Sequence, residues 1–383
     1  MTYVYVGGHT RSKPFADDPR PGRGTGISVY RLEERDGSLL PVQTVALEPD
    51  PTYLHVSPSG GTLYAAIHSS IHLGQPGSAL VSFSIDPGTG ALTRLNHRAI
   101  PSPHAAHVGL DRSERFALVS SSVGGGLSVV AIEAGRGLGP LTDEIRHAGA
   151  LMPAGVAAPF PAAIRRGPPF PHCMLPDLAN RFILVADLGR NRVDVHPFDA
   201  VRGTLGRSAR SFELHAGAGP RALAMHPAGA IAYAMNEDDC SVSVLGYTPA
   251  TGMLEEVQQV GTLPHGAAGR STGGAVAVHP SGRLLLTTTR GSDSIAMFAI
   301  DAGGTPEMVA SLPAAGAHPR HLALTPLGDM ALVANTNSDG VTAFRIDLPG
   351  ARMTPAGVTS VPTPTCVAFY DPAARARSSI SGT

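Results

Sequence analysis

The sequence has no tryptophan, three cysteines and a single lysine, Lys13. The cysteines, Cys173, Cys240 and Cys366, are odd in number and show no CxxC spacing. This usage argues against a disulfide framework and a zinc knuckle, and it is typical of a reducing compartment. A lone lysine in a polar N-terminal segment also makes Schiff-base chemistry an unattractive interpretation.

An excess of charge of either sign is also absent, since the formal net charge is -1. No basic field is therefore available to attract nucleic acid or anionic lipid. No window approaches about 18 uninterrupted apolar residues, and the first residues read as a strand rather than as a secretory signal. We expect a cytoplasmic protein with neither a nucleic-acid nor a membrane partner.

What the chain does contain is a repeat of a turn, an apolar strand, a Pro/Gly/Asp turn, a second apolar strand and a third. Its clearest copy runs from Gly219 through GPRALAMHPAG to Tyr247. Seven such units open at Pro51, Pro103, Pro171, Pro220, Gly273, Pro319 and Pro364. A period of about 45–50 residues with three or four short strands is the signature of a β-propeller. The sequence therefore predicts an all-β, seven-bladed propeller.

The seventh unit has only its first strand before the chain runs out, so strands near Tyr3, Ile27 and Val42 are expected to complete that blade. Pairing of the N- and C-terminal strands in one blade leaves no open edge in the ring. We expect a single propeller over residues 1–371 and a polar tail over 372–383. The long interval before Pro171 contains a Pro-, Ala- and Gly-rich loop, 148–169, which is a candidate lid.

Residues at equivalent points of the units are expected to crowd one mouth of the central channel. The openings carry His104, His107, His172, Arg221, Arg320 and His321, and the turns after the second strands carry His68, Asp187, Asn236, Glu237, Arg290 and Asn335. Several arginines converging with a carboxylate favour an anionic small molecule, because guanidinium binds carboxylate or phosphate bidentately. A histidine and a glutamate beside them are suited to acid–base work. The alternative is that these groups only hydrogen-bond neighbouring blades.

The segments PHCML…VADLGRNRVDV, GPRALAMHPAGAIAYAMNE, GRLLLTTTRGSDSIAMF and HPRHLALTPLGDMALVAN resemble the seven-bladed lactonase family, over essentially the whole chain. That family includes propeller-type 6-phosphogluconolactonases and fungal carboxymuconate lactonizing enzymes. The resemblance implies catalytic roles for His172, Arg221, Glu237 and Arg290. It also implies substrate-binding positions at Arg320, Asp187 and Arg165, to which the mouth position of His104 is added.

The chain departs from the family pattern at several positions of the inner wall. Phe170 stands where a first histidine is usual, Ala222 follows Arg221 in place of histidine, and Ala275 and Ala277 replace a glutamate and a histidine. The arginines thus remain while part of the wall becomes smaller and apolar. These replacements favour a lactone less polar than a sugar phosphate.

Two other sequence patterns give no support to a functional site. Gly269–Gly273 matches G-x-S-x-G, but a strand follows where a nucleophile elbow needs a helix. The histidines never show HExxH or another metal-ligand spacing, so neither a metal nor a cofactor is predicted.

Three functions remain open. The first is metal-free hydrolysis of a small carboxylated or phosphorylated lactone by acid–base catalysis in the channel, and the second is ring closure of the muconate cycloisomerase type. The third is a non-catalytic binding propeller, which the scarcity of exposed aromatics disfavours. Oligomeric state is not readable from the sequence.

Overall fold

The computed structural model describes residues 1–11, 22–72, 74–147, 149, 167–207, 210–267 and 269–373. The expected loop at 148–169, Arg165 and the tail beyond 373 fall largely or wholly outside these residues. Within the described part of the chain, no helix is long and apolar enough to cross a membrane.

Seven antiparallel sheets form the seven blades, which confirms the predicted fold. Blade 1 contains β1 (Tyr3–Gly8), β2 (Gly26–Leu32), β3 (Leu39–Ala46) and β31 (Pro364–Tyr370); blade 2 contains β4 (Pro51–Val56), β5 (Thr62–Ile67), β8 (Ser78–Ile85) and β9 (Leu92–Ile100), with the hairpin β6 (Ile71–His72) and β7 (Gln75–Pro76) inserted. Blade 3 contains β10 (Ala105–Leu110), β11 (Phe116–Ser121), β12 (Gly126–Ile132) and β13 (Leu138–Arg146).

The other four blades follow in chain order. Blade 4 contains β14 (Pro171–Pro176), β15 (Phe182–Asp187), β16 (Arg192–Asp199), β17 (Thr204–Leu205) and β18 (Arg210–Glu213); blade 5 contains β19 (Pro220–Met225), β20 (Ile231–Asn236), β21 (Ser241–Thr248) and β22 (Met253–Gly261). Blade 6 contains β23 (Thr272–Val278), β24 (Leu284–Arg290), β25 (Ser294–Ile300) and β26 (Pro306–Pro313); blade 7 contains β27 (Pro319–Leu324), β28 (Met330–Asn335), β29 (Gly340–Asp347) and β30 (Arg352–Ser360). A 3-10 turn, Thr336–Ser338, follows β28.

The hydrophobic core is divided among the seven interfaces between neighbouring blades. Each interface has its own apolar cluster, such as Tyr5 and Leu63 between blades 1 and 2, or Phe298 and Met235 between blades 5 and 6. The second strand of a blade is covered on both faces, which is why β5, β11 and β28 are buried along their whole length. The outermost strands instead alternate, as β26 does, because only one face meets a neighbour.

The ring is closed by the two ends of the chain. In blade 1, β31 is the innermost strand and pairs antiparallel with β1, from Tyr3 opposite Tyr370 to Gly8 opposite Pro364. The seven inner strands then lie side by side around the channel, with β31 between β27 and β4. The first and last strands therefore share one blade, as predicted.

We expect removal of β31 to open the ring. A chain ending at residue 362 leaves blade 1 with three strands and exposes the apolar faces of blades 7 and 2, so its melting temperature should fall by at least about 10 °C. A chain ending at residue 371 retains every blade strand and should melt with the full-length protein. Thermal unfolding followed by circular dichroism measures both, and equal melting temperatures for the two truncations would contradict this account of closure.

Candidate active site at the channel mouth

An irregularity recurs at the same point of all seven inner strands. The pairing register skips between Pro51 and Tyr53 in β4, and equivalent shifts occur in the other six blades. The first skipped residue of each strand belongs to a set named here the bulge ring: Thr365, Thr52, Ala106, His172, Arg221, Gly274 and Arg320 in blades 1 to 7. In blade 6 the register also skips Ala275. A bulge leaves one residue outside the ladder and redirects its side chain, which is how a regular strand presents a functional group.

A second set lies at the end of the neighbouring strand. In blade 5, for example, β19 begins at Pro220, which pairs with Asn236. The residue after Asn236, Glu237, donates its backbone N–H to the carbonyl oxygen of Gly219 at 2.8 Å, and most blades have the equivalent hydrogen bond. The register gives seven such residues, named here the turn ring: His9, His68, Ser122, Leu188, Glu237, Arg290 and Thr336 in blades 1 to 7. The two rings place fourteen positions at one mouth of the channel.

Three of the predicted residues meet directly. Glu237 Oε2 lies 2.8 Å from Arg221 Nε and 3.0 Å from Arg290 NH2, and all three side chains are at least nine-tenths buried. Arg221 NH1 also donates to Gly274 O at 2.8 Å, and Arg290 NH2 donates to Gly273 O. The carboxylate and the two carbonyls hold the guanidiniums of blades 5 and 6 in fixed orientations.

Gly274 is required at the bulge position of blade 6. A Cβ atom built on it would lie 2.7 Å from Pro319 O, a distance that no side chain tolerates. The bare backbone leaves the Gly274 carbonyl open to Arg221 from the neighbouring blade. The small residue thus serves the site through its main chain.

Arg320 and His172 belong to the same electrostatic group. Burial lowers the pKa of Arg320 to about 9, and the Arg221 and Arg290 charges add to the effect. Burial with the Arg290 charge likewise lowers the pKa of Arg221 to about 10. Burial lowers the pKa of His172 well below its usual range, and Arg221 reinforces the shift. The cluster therefore combines three guanidinium groups and one carboxyl group with an imidazole that is neutral at neutral pH.

Below the rings the channel contains residues that the sequence interpretation gave less weight. The ring of Tyr53 lies 4.4 Å from that of His107 and 5.4 Å from that of His321, centroid to centroid. Burial lowers the pKa of both histidines to about 3. Tyr53 was missed because an aromatic in a strand reads as core. A comparison of the repeat units could have identified it, because Tyr53, His107 and His321 each directly follow the bulge residue of their strand.

His104 is not equivalent to His172, and the expectation that placed the two at matching positions is corrected here. Ala105 pairs with Ser121 as Pro171 pairs with Asp187, so Ala106 occupies the bulge position of blade 3. Pro103 precedes the strand and does not open it. His104 instead contacts His68, with ring centroids 4.4 Å apart, and its Nε2 lies 2.8 Å from Ser70 Oγ.

The contacts of Asp187 are those of a backbone bracket. Its Oδ1 accepts hydrogen bonds from the amides of Phe170 at 2.8 Å and Arg190 at 3.0 Å, and burial raises its pKa. This geometry fixes the start of β14 and gives no support to the predicted substrate contact. Arg165 lies outside the described residues, so its role stays a prediction.

Two further features are a pocket that adjoins the cluster at Arg290 and a group of ionisable residues at blades 3 and 4. A pocket of about 310 Å³ between blades 6 and 7 is lined by Arg270, Thr272, Arg290, Gly291, Asp293, Ala317, His318 and Asn337. Among the described residues, one group has metal-ligand geometry: His147, Asp187 and Asp194 offer atoms within 4.8 Å of one another. Arg192 Nε already lies 2.9 Å from Asp194 Oδ1, so a guanidinium charge occupies part of that position.

Comparison with known proteins identifies this arrangement. A family described as "Lactonase, 7-bladed beta-propeller" matches residues 3–369. The chain belongs to this lactonase family. Its enzyme class, a lactone hydrolase, is thereby as predicted.

Named relatives cover nearly the whole lactonase chain. It is 28% identical over 368 residues to the 6-phosphogluconolactonase of Bacillus subtilis (strain 168), covering 95% of this chain and 97% of that protein. It is 25% identical over 357 residues to the 6-phosphogluconolactonase of Formosa agariphila, covering 91% and 94%. The structure of the periplasmic gluconolactonase PpgL of Pseudomonas aeruginosa superposes with a TM-score of 0.83 at 24% identity, covering 97% and 99%, and supports the fold.

We expect acid to destabilise this lactonase through two histidines of the channel, His107 and His321. His107 and His321 take up protons near pH 6.5 when unfolded but only near pH 3 when folded, so the unfolded state binds more protons between these values. The free energy of unfolding should therefore fall as the pH drops below 6.5, by up to about 1.4 kcal/mol per pH unit for each histidine. Urea unfolding at several pH values measures the slope.

The double variant His107→Gln, His321→Gln is the control for this prediction. It removes both titrating groups, so its free energy of unfolding should depend less steeply on pH than that of the wild type. An unchanged slope would mean that these imidazoles are not the source of the acid sensitivity.

Proposed function

We propose that this lactonase hydrolyses a small lactone carrying a carboxylate or phosphate, without a metal, at the Arg221–Glu237–Arg290 cluster. The observation that carries the proposal is the surplus of positive charge, in which Arg221 and Arg290 are more than nine-tenths buried and Arg320 is half-buried. Arg221, Arg290 and Arg320 face one carboxylate, Glu237, and buried charge of one sign is costly unless a partner neutralises it. An anionic substrate supplies that partner.

The guanidiniums of Arg221 and Arg290 are the groups assigned to the substrate anion or to the oxyanion that develops at the lactone carbonyl. Both are fixed by Glu237 and by the Gly273 and Gly274 carbonyls before substrate arrives. Donors held in advance in a dry site stabilise a developing oxyanion without reorganisation, and each is worth about 10²–10³-fold in rate. Arg320, on the blade 7 side, adds to the same field.

His172 is the better candidate to activate water. Its neutral imidazole can accept a proton, and the nearby charges of Arg221 and Arg320 help to keep it neutral by lowering its pKa. Glu237 shares one oxygen between two guanidiniums, which suits it to hold them in place and to balance their charge. In this assignment His172 takes the proton of water as the oxygen attacks the carbonyl, and the opened ring leaves with an alkoxide that regains the proton.

The substrate class follows from the cluster and its surroundings. Relatives named 6-phosphogluconolactonases make that phosphorylated sugar lactone the first compound to try. The Arg290 side adjoins the pocket with Arg270 and Thr272, which has room for an anionic tail. Next to Arg221 in the chain, Ala222 is small and apolar, which suits a ring with fewer hydroxyls. Ring closure is not favoured, because these named relatives are hydrolases.

The first test is a panel of 6-phosphogluconolactone, muconolactones and neutral sugar lactones, followed by proton release with and without EDTA. We expect turnover of the anionic lactones that persists in EDTA and falls at least about 100-fold in Glu237→Gln, because the guanidiniums lose their shared carboxylate. Glu255→Gln, an exposed position on β22 of the same blade, is the matched control and should keep full activity. Preference for neutral lactones, or full activity in Glu237→Gln, would refute the proposal.

The assignment of His172 predicts an unusual pH profile. With its pKa well below the usual range, the imidazole is already in its proton-accepting form from about pH 8 down to about pH 6. We expect kcat/KM to change by less than about twofold across that interval. A base with an ordinary histidine pKa would lose about three-quarters of its active form by pH 6. Stopped-flow measurement of proton release in weak buffers distinguishes the two profiles.

A further inference from the structure

The histidines of blades 1 to 3 form a second polar cluster at the same mouth. His9 and His68 are turn-ring residues, as Glu237 and Arg290 are, but they belong to blades 1 and 2. Asp50 and His104 stand just before the strand openings of blades 2 and 3, and Ser70 begins the excursion that leads into the β6–β7 hairpin. The four ionisable side chains are more than nine-tenths buried, whereas Ser70 is partly exposed.

These side chains are linked in a row. Ser70 Oγ lies 2.8 Å from His104 Nε2, and His104 Nδ1 lies 3.1 Å from a ring nitrogen of His68. One imidazole thus contacts a hydroxyl through one nitrogen and a second imidazole through the other. In this order, a neutral His104 accepts the Ser70 hydroxyl proton at Nε2 and donates its Nδ1–H to His68.

The carboxylate of Asp50 lies near this row and is held in place by hydrogen bonds. Asp50 Oδ1 accepts hydrogen bonds from the amides of Thr10 at 2.6 Å and Arg11 at 3.0 Å, and Oδ2 lies 3.8 Å from His9 Nδ1. Although burial opposes it, the contact with His9 and the Thr10 amide lower the pKa of Asp50 to about 2. Burial lowers the pKa of His104 to about 4 and that of His68 well below its usual range, so both imidazoles are neutral proton acceptors; the Asp50 charge opposes these shifts and so partly stabilises a proton that enters the row.

The backbone at His104 is held in an uncommon conformation that sets this geometry. Its φ is +60°, in the left-handed region that a residue with a Cβ atom seldom adopts. Its N–H donates to Ser69 O at 2.8 Å, and its carbonyl accepts from the amide of Ser122 at 3.0 Å. Backbone strain of this kind persists where the surroundings enforce it, and it is concentrated at functional positions.

We propose that Ser70, His104 and His68 form a second hydrolytic centre, in which Ser70 is the nucleophile for small carboxylic esters. Ser70 Oγ attacks the ester carbonyl as its proton passes to His104 Nε2, and the C–O bond to the alcohol breaks as that proton is returned to the leaving oxygen. Water then attacks the acyl-serine, again through His104, and releases the acid and the serine. Ser70 and His104 are catalytic residues, and His68 is a positioning residue.

The proposal is independent of the arginine cluster. Its chemistry needs neither Arg221 nor Glu237, and its nucleophile lies on blade 2 rather than on blades 5 and 6. It also differs from the G-x-S-x-G match at Gly269–Gly273, whose Ser271 lies before β23 in a segment without a helix. The spatial row, rather than the sequence motif, identifies the serine.

The test is covalent labelling of the full-length protein with a fluorophosphonate, followed by peptide mass spectrometry. We expect one adduct, on Ser70, with loss of fluoride. Labelling should be lost in Ser70→Ala and slowed at least about 100-fold in His104→Gln. Absence of an adduct on the wild type, or an adduct that persists in Ser70→Ala, would overturn the proposal, and neither result depends on how well a variant folds.

Matched variants separate a catalytic from a structural effect. Ser122 contacts His104 only at the backbone carbonyl of that residue, so Ser122→Ala should label at the wild-type rate within about twofold. Glu255→Gln, an exposed position on β22, should do the same. His68→Asn retains a hydrogen-bond acceptor for His104, and its labelling rate should exceed that of His68→Ala at equal melting temperature. Equal rates for these two His68 variants would remove His68 from the row.

Discussion

The antiparallel pairing of β1 with β31 is the constraint on which the rest of the structure depends. Because a blade is buried on both faces by its neighbours, no blade is complete unless the ring is closed. Among the described strands, the pair that closes it joins residues more than 350 positions apart. Once closed, the ring brings seven equivalent bulges and seven equivalent turns to one mouth. The site is then a matter of which side chains stand at those positions.

Closely related positions carry opposite roles in neighbouring blades. Glu237 in blade 5 and Arg290 in blade 6 occupy the same place in the repeat. Because the two blades are neighbours in the ring, the Glu237 carboxylate contacts the Arg290 guanidinium. Arg221 completes the contact from the bulge of blade 5. A repeated backbone thereby builds an asymmetric site, with guanidinium groups over blades 5 to 7 and imidazoles over blades 1 to 3.

The sequence was enough to predict the ring, its closure and the convergence of Arg221, Glu237 and Arg290, because period and turn residues are local signals and the family resemblance supplied the roles. The sequence was not enough to predict positions that depend on the pairing register of the strands. The repeat pattern predicts a strand opening at Pro103, yet Ala105 pairs with Ser121, so the bulge lies at Ala106 and His104 has other neighbours. The two backbone amides on Asp187 and the packing of Tyr53 between two histidines arise from contacts between segments, which a single sequence does not display.

The mouth includes both ends of the chain, and this has a consequence for synthesis. His9 and Thr365 lie in the same blade, and the strand that carries Thr365 is the last one that the structure describes. Blades 2 to 7 can be completed in turn as the chain leaves the ribosome, but the channel stays open on one side until residues 364–370 emerge. A translation product that stops before residue 364 therefore lacks a closed mouth, even though it contains the whole of the Arg221–Glu237–Arg290 cluster.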